Sequence, residues 1–167
     1  MDSRLIDSVR DVISRVRYDK RCKVFRPTGL PVVPPPLFLP DDLAFFYEEC
    51  GGCSLFSSTA FGCQIVPPEQ LMSSNKVILG EHGALGDRSD YWYLLARGSS
   101  GEGISIDLHP DRLGRCYDSF WDRHGLAGSC PVIALSFLDL LTRLMDSGGA
   151  HWYWLEADFG SLGDAYE

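Results

Sequence analysis

Two short stretches of this 167-residue chain hold reactive side chains at a spacing where chemistry is possible. The first is Cys50-Gly51-Gly52-Cys53, a CxxC pair. In a thioredoxin-like pair the first thiol sits at a helix N-terminus, where the dipole lowers its pKa. Here the pair falls at the C-terminal end of a predicted helix, where that field opposes a thiolate. A structural zinc site needs a second pair or matched Cys and His, and only Cys63 follows, ten residues on. The pair therefore reads as two small apolar side chains, as do Cys22, Cys63, Cys116 and Cys130.

The second stretch is Asp107-Leu108-His109. Residues two apart in a strand share a face, so this carboxylate and imidazole can form an acid–base pair or supply two metal ligands. A small enzyme or metal-dependent hydrolase built on Asp107 and His109 needs a third partner. His82, His124 and His151 stand at no recognisable spacing to the pair. The competing reading is a strand end before the Pro110 turn. There is no G-x-S-x-G, P-loop, H-E-x-x-H or G-x-G-x-x-G. The residues thus give no positive argument for catalysis, a cofactor or a metal.

A third kind of chemistry is recognition by charge. The chain has 15 Lys and Arg against 23 Asp and Glu, a formal charge of −8. Residues 1–26 carry +4 and residues 27–167 carry −12. Phosphate neutralisation needs a basic face, so nucleic acid is not an expected partner. An acidic body suits a cationic protein partner, because complementary fields speed and select encounters. The acids in predicted loops or the tail are the candidate contacts: Asp87, Asp90, Asp111, Asp122, Glu156 and Asp158. Trp152 and Trp154, two apart beside those tail acids, share one face if the tail is a strand. They either cap the core or anchor a partner, and tryptophan is enriched at binding hot spots. Trp121-Asp122 carries the same two readings.

These groups need elements to position them. Leu5, Ile6, Val9, Val12, Ile13 and Val16 recur with a 3.6-residue period, which predicts a helix capped by Asp2 or Ser3. Six prolines between 27 and 40 forbid a helix or a central strand there. Val32, Val33, Leu37, Phe38 and Leu39 make that segment a wrap across the body rather than a free linker. A second helix starts at Pro40-Asp41-Asp42, buries Leu43, Phe46, Tyr47 and Cys50, and is expected to stop at Gly51-Gly52 in the left-handed conformation. Strands are expected at 54–56, 61–66, 91–96, 103–108 and 115–120, with a hairpin loop at 98–101 and a short helix and turn within 68–79. The alternation Ile104-Ser105-Ile106-Asp107-Leu108 reads as a strand with one buried face. A last helix spans about 137–146, with Ser136 as its cap and Gly148-Gly149 as its stop. This order predicts a single α+β domain. Its centre is a largely antiparallel or mixed sheet of about five to six strands flanked by helices. No apolar run is long enough to cross a bilayer and the N-terminus lacks a secretory apolar core. A cytoplasmic protein with reduced thiols and no membrane partner is expected.

The segment from Leu39-Pro40-Asp41-Asp42-Leu43 through Phe46-Tyr47 to Gly51-Gly52 resembles the first signature of the SUKH superfamily. That group includes the Smi/Knr cell-wall-assembly regulators of yeast and many bacterial immunity proteins. Trp92 to Asp107 with its glycines at 98, 101 and 103, then Gly114 and Cys116-Tyr117, is similar to the second signature. Ile133-Ala134-Leu135-Ser136-Phe137-Leu138-Asp139-Leu140-Leu141 is similar to the closing Ser-Phe helix. Ile104 stands where the family often has an acid. The resemblance covers residues 39–147, between an N-terminal helix and its exit (1–26), the Pro-rich segment (27–40) and an aromatic, acidic tail (148–167). It implies a non-enzymatic binding module, in bacteria an immunity protein that neutralises a cognate toxin, often a nuclease. The eukaryotic members make a regulatory or scaffold module the alternative, with the Pro-rich segment as a docking strip. Gly51, Gly52, Asp107 and Ser136 match the pattern and read as fold-determining residues.

Overall fold

Helix α1 (Ser3–Tyr18) forms where the apolar period predicts it, with Val9, Val12, Ile13 and Val16 buried and the Asp2 side chain accepting from the Arg4 N–H. The computed structural model describes residues 2–80, 83 and 85–167; His82 lies outside them. The chain continues through β1 (Lys23–Val24), α2 (Asp41–Glu49), β2 (Cys53–Leu55), β3 (Cys63–Ile65) and α3 (Ser74–Leu79). It closes with β4 (Trp92–Gly98), β5 (Gly103–Asp107), β6 (Cys116–Asp118), β7 (Val132–Ala134) and α4 (Phe137–Ser147). Single helical turns at Pro68–Gln70, Arg88–Tyr91, Pro110–Arg112 and Tyr153–Leu155 fill the connections.

The seven strands form one sheet whose spatial order is the chain order, every pair antiparallel. The fold is thus the expected single α+β domain, with more strands than the five to six predicted. The two additions, β1 and β7, hold two and three residues, too few for alternation to register.

Helices α1, α2 and α4 cover one face of the sheet. Val9, Leu43, Phe46, Ile65, Leu95, Ile106 and Leu141 meet there in the main core. Phe46 and Phe137 pack edge to face at 4.7 Å, joining α2 to α4. Ser136 caps α4 by accepting from the Asp139 N–H, and Gly148 and Gly149, the expected stop, adopt the left-handed conformation at its end. Asp42 is buried in the first turn of α2 and accepts from the Leu138 N–H at 2.8 Å. It therefore satisfies a free donor of α4, the neighbouring helix.

Three expectations are corrected. Helix α2 does not end in a left-handed glycine, because Cys50 is extended and only Gly52 has positive φ. The glycines are needed for close approach instead. A Cβ on Gly51 would overlap the Arg26 carbonyl oxygen, and one on Gly52 would lie 2.6 Å from the Ile65 oxygen. Strand β5 is buried on both faces, so its serine and aspartate do not meet solvent. The tail forms a helical turn at Tyr153–Leu155 rather than a strand. In the Pro-rich segment Val33, Leu37 and Leu39 pack on the core, whereas Val32 is 92% exposed and Phe38 half exposed.

Candidate partner-binding surfaces

The second face of the sheet carries the polar chemistry. Ser105 and Asp107 point away from α1, α2 and α4, and so do Trp92 and Tyr117 of the strands beside them. Over them lie α3, the 120–130 loop and the end of the tail, which enclose a buried polar layer. Ser74, Ser105 and Ser119 form a hydroxyl chain with 2.7 and 2.6 Å links. Asn75 donates to Ser89 and lies 2.7 Å from Nε2 of His124 through its own Oδ1. That acceptor places the imidazole proton on Nε2. Nδ1 of His124 and Nε1 of Trp92 are both buried without a partner among the described residues.

Burial lowers the His124 pKa to about 4, against the milder opposing charge of Asp87. A group held neutral in the fold binds its proton first in the unfolded chain. Stability is therefore full above the unfolded value near 6.5 and is lost as pH falls toward 4. Wild-type protein is expected to lose about 2 kcal/mol between pH 7 and pH 5 from this group. His124→Asn should flatten that part of the profile in urea titrations at the two pH values. An unchanged slope would mean that His124 is not the responsible group.

Asp107 is 0% exposed and all its oxygens are engaged. Oδ1 accepts from the His109 N–H, and Oδ2 from Arg112 Nε and Tyr117 Oη at 2.8 Å each. His109 turns elsewhere: Nδ1 accepts from the Asp111 N–H and the ring packs edge-on against Tyr91. The acid–base pairing considered for Asp107 and His109 therefore does not form, and the carboxylate fastens the β5–β6 turn. No group of three or more His, Cys, Asp or Glu among the described residues is arranged to hold a metal.

Asp118 repeats the device one strand on, accepting from the Phe120 N–H, Arg123 and Trp154. All six cysteines are free thiols. Cys50 follows the C-terminal end of α2, as the sequence implied. Burial pushes its thiol up to about 11 and that of Cys63 to about 12, with Cys53 also raised. These are poor conditions for a nucleophile.

The candidate contact residues divide into three groups. Asp87 accepts from the Ser89 N–H and from Tyr166 Oη, which ties its loop to the tail, and Asp90 accepts from the Gly86 N–H within the loop. Asp111, Asp122, Glu156 and Asp158 are exposed. Trp152 and Trp154 are each 6% exposed and pack against each other and Phe120. Of the two readings open to them, core cap or partner anchor, the structure places them as a cap. The 70% exposed tryptophan is Trp121. It borders an open groove of about 250 Å³ with Val77, Ile78, Leu94 and the bare backbone of Gly101 and Gly103. The sequence signal for it was its type beside Asp122, with nothing to decide exposure.

An antiparallel sheet backed by helices, with its buried carboxylates used as fasteners and its free ones outside, describes a protein whose distinctive chemistry is at its surface. The chain belongs to a family of bacterial immunity proteins. It is 42% identical over 160 residues to immunity protein YokJ of Bacillus subtilis (strain 168), covering 96% of each chain. No family model matches the chain, and no solved structure matches it.

Proposed function

We propose that this protein neutralises a cognate toxin by binding it, without catalysis, in the cytoplasm of the cell that carries both. The observation that carries this reading is the end-to-end relationship to an immunity protein. The local sequence patterns add to it, and they favour membership of the SUKH superfamily. The partner chemistry follows from charge. A −8 protein with exposed carboxylates is suited to cover a basic surface, of the kind a nuclease uses to hold phosphate.

Co-expression with the protein encoded by the adjacent gene tests the proposal. Cells receiving that gene alone are expected to stop growing, and cells receiving both to grow. A stable complex should survive size-exclusion chromatography at low salt and weaken as salt rises. Failure to rescue growth, with no complex formed, would overturn the reading.

A further inference from the structure

The second face of the sheet has two unlike halves. Where β5 runs it is roofed, and Ser105 and Asp107 are fully buried. Toward β1 it is open. Lys23 lies opposite Ser54, Ser54 opposite Gln64, and Gln64 opposite Arg97. Directly opposed residues project from the same face, so these four make one row across β1, β2, β3 and β4. At the usual strand spacing the row is about 14 Å long. Lys23 and Arg97 are exposed and Ser54 and Gln64 half-buried, while the residues flanking Ser54 and Gln64 in β2 and β3 turn into the core.

The row carries a cation at each end and no acid. Neither Lys23 nor Arg97 has an ion-pair partner among the described residues. Glu102, in the same hairpin as Arg97, instead accepts from the Ser100 N–H at 2.7 Å. Above Ser54, Gln64 and Arg97 is a hollow of about 200 Å³, edged by the hydroxyls of Ser57, Thr59 and Ser99 and by no carboxylate. At the Lys23 end a second hollow, of about 400 Å³, adds Arg17 and Arg26, again without an acid. On a chain of charge −8 this surface has the opposite sign. At its other end Arg97 also lines the groove beside Trp121, so a free guanidinium and a 70% exposed indole stand together. Those two residue types dominate binding hot spots.

We infer that this open half-face, from Lys23 to Trp121, is where the toxin docks, presenting an Asp or Glu carboxylate to Arg97 and an apolar side chain to the groove beside Trp121. This rests on the toxin-binding reading above and names the surface that performs it. A guanidinium can hold a carboxylate through two parallel hydrogen bonds, and the neighbouring amide and hydroxyls supply further donors. The two signs of charge act at different stages. The field of the acidic body speeds the encounter with a basic partner, and the local reversal selects the orientation that brings an acid to Arg97. Because the row stands on paired strands, little conformational freedom remains to be lost on association.

The test uses the full-length protein and the product of the adjacent gene as the probe, with Kd measured by calorimetry. Arg97→Glu is expected to weaken binding by roughly 30-fold or more and Trp121→Ala by roughly 10-fold or more. Arg4→Glu makes the same charge change at the far end of α1 from Arg17 and should alter Kd by at most about 2-fold. Thermal melts verify that each variant is folded. If Arg97→Glu is not, Arg97→Gln replaces it, with a smaller loss of the same sign. Wild-type affinity in both Arg97 and Trp121 variants, or an equal loss in Arg4→Glu, would overturn this surface and leave toxin binding standing. Tighter binding by the Arg97 variant would place a cation opposite it and overturn the carboxylate assignment. No binding by the wild-type protein would overturn the toxin reading itself, and this surface with it.

Discussion

Asp107→Ala is expected to destabilise the protein by about 3–5 kcal/mol, the usual consequence of removing one partner from a buried ion pair. The carboxylate answers three donors at once: the His109 N–H, Arg112 Nε and Tyr117 Oη. Tyr117 is fully buried and the Arg112 side chain is 15% exposed, so water cannot readily replace what is lost. Stranding a guanidinium in such surroundings is the costliest part. For a chain of this size the shift corresponds to a fall in Tm of about 10 °C. Tyr117→Phe, which removes a single hydroxyl, should cost about 1 kcal/mol. A double-mutant cycle between the two positions would measure their coupling. An Asp107→Ala protein as stable as Tyr117→Phe would show that the fastening of this turn lies elsewhere.

Gly51→Ala is the second large effect. The Gly51 N–H donates to the Phe25 carbonyl at 3.0 Å, and the Phe25 N–H to the Gly52 carbonyl at 2.9 Å. These bonds hold the chain leaving β1 against the start of β2. A methyl group on Gly51 would occupy the space of the Arg26 carbonyl oxygen, which is backbone and has no rotamer to offer. Either the edge strand withdraws or α2 shifts, at a cost of about 3 kcal/mol. Hydrogen exchange should locate the damage, with protection lost at Phe25 and Gly51 and retained in β4 and β5. Gly29→Ala is the contrast. Unlike Gly51 it has positive φ, but a Cβ there meets no atom within 4 Å, so only its backbone strain is felt. Equal stability for Gly51→Ala and wild type would refute the close-approach account.

Periodic features were legible in the sequence. The valine stripe of α1, the Ser136 cap and glycine stop of α4, and the Gly98–Gly101 hairpin loop follow from rules that act within a few residues. What the residues did not disclose was which polar side chains are enclosed. Ser105 and Asp107 alternate with isoleucines as they would on a solvated strand, and only the packing of α3 and the 120–130 loop above them makes that face interior. Gly51-Gly52 misled for a related reason. A glycine after a helix has the same local signature whether it caps the helix or makes room for distant backbone. Among the surface residues, Asp111, Asp122, Glu156 and Asp158 were recoverable from charge and turn context. Trp152, Trp154 and Trp121 are chemically alike, and only the fold decides which of them meets solvent.

The spatial order of the strands also bears on how the protein is made. Each strand lies beside its neighbour in sequence, so the sheet needs no crossover and its hairpins can form as the chain emerges from the ribosome. The helical layer cannot keep pace. Helix α1 is synthesised first, yet Arg15 meets its partner Asp146 across a separation of 131 residues. Until α4 is released, the buried stripe of α1 has only α2 for a helical neighbour, and the N-terminal helix waits for nearly the whole chain before its surface is closed.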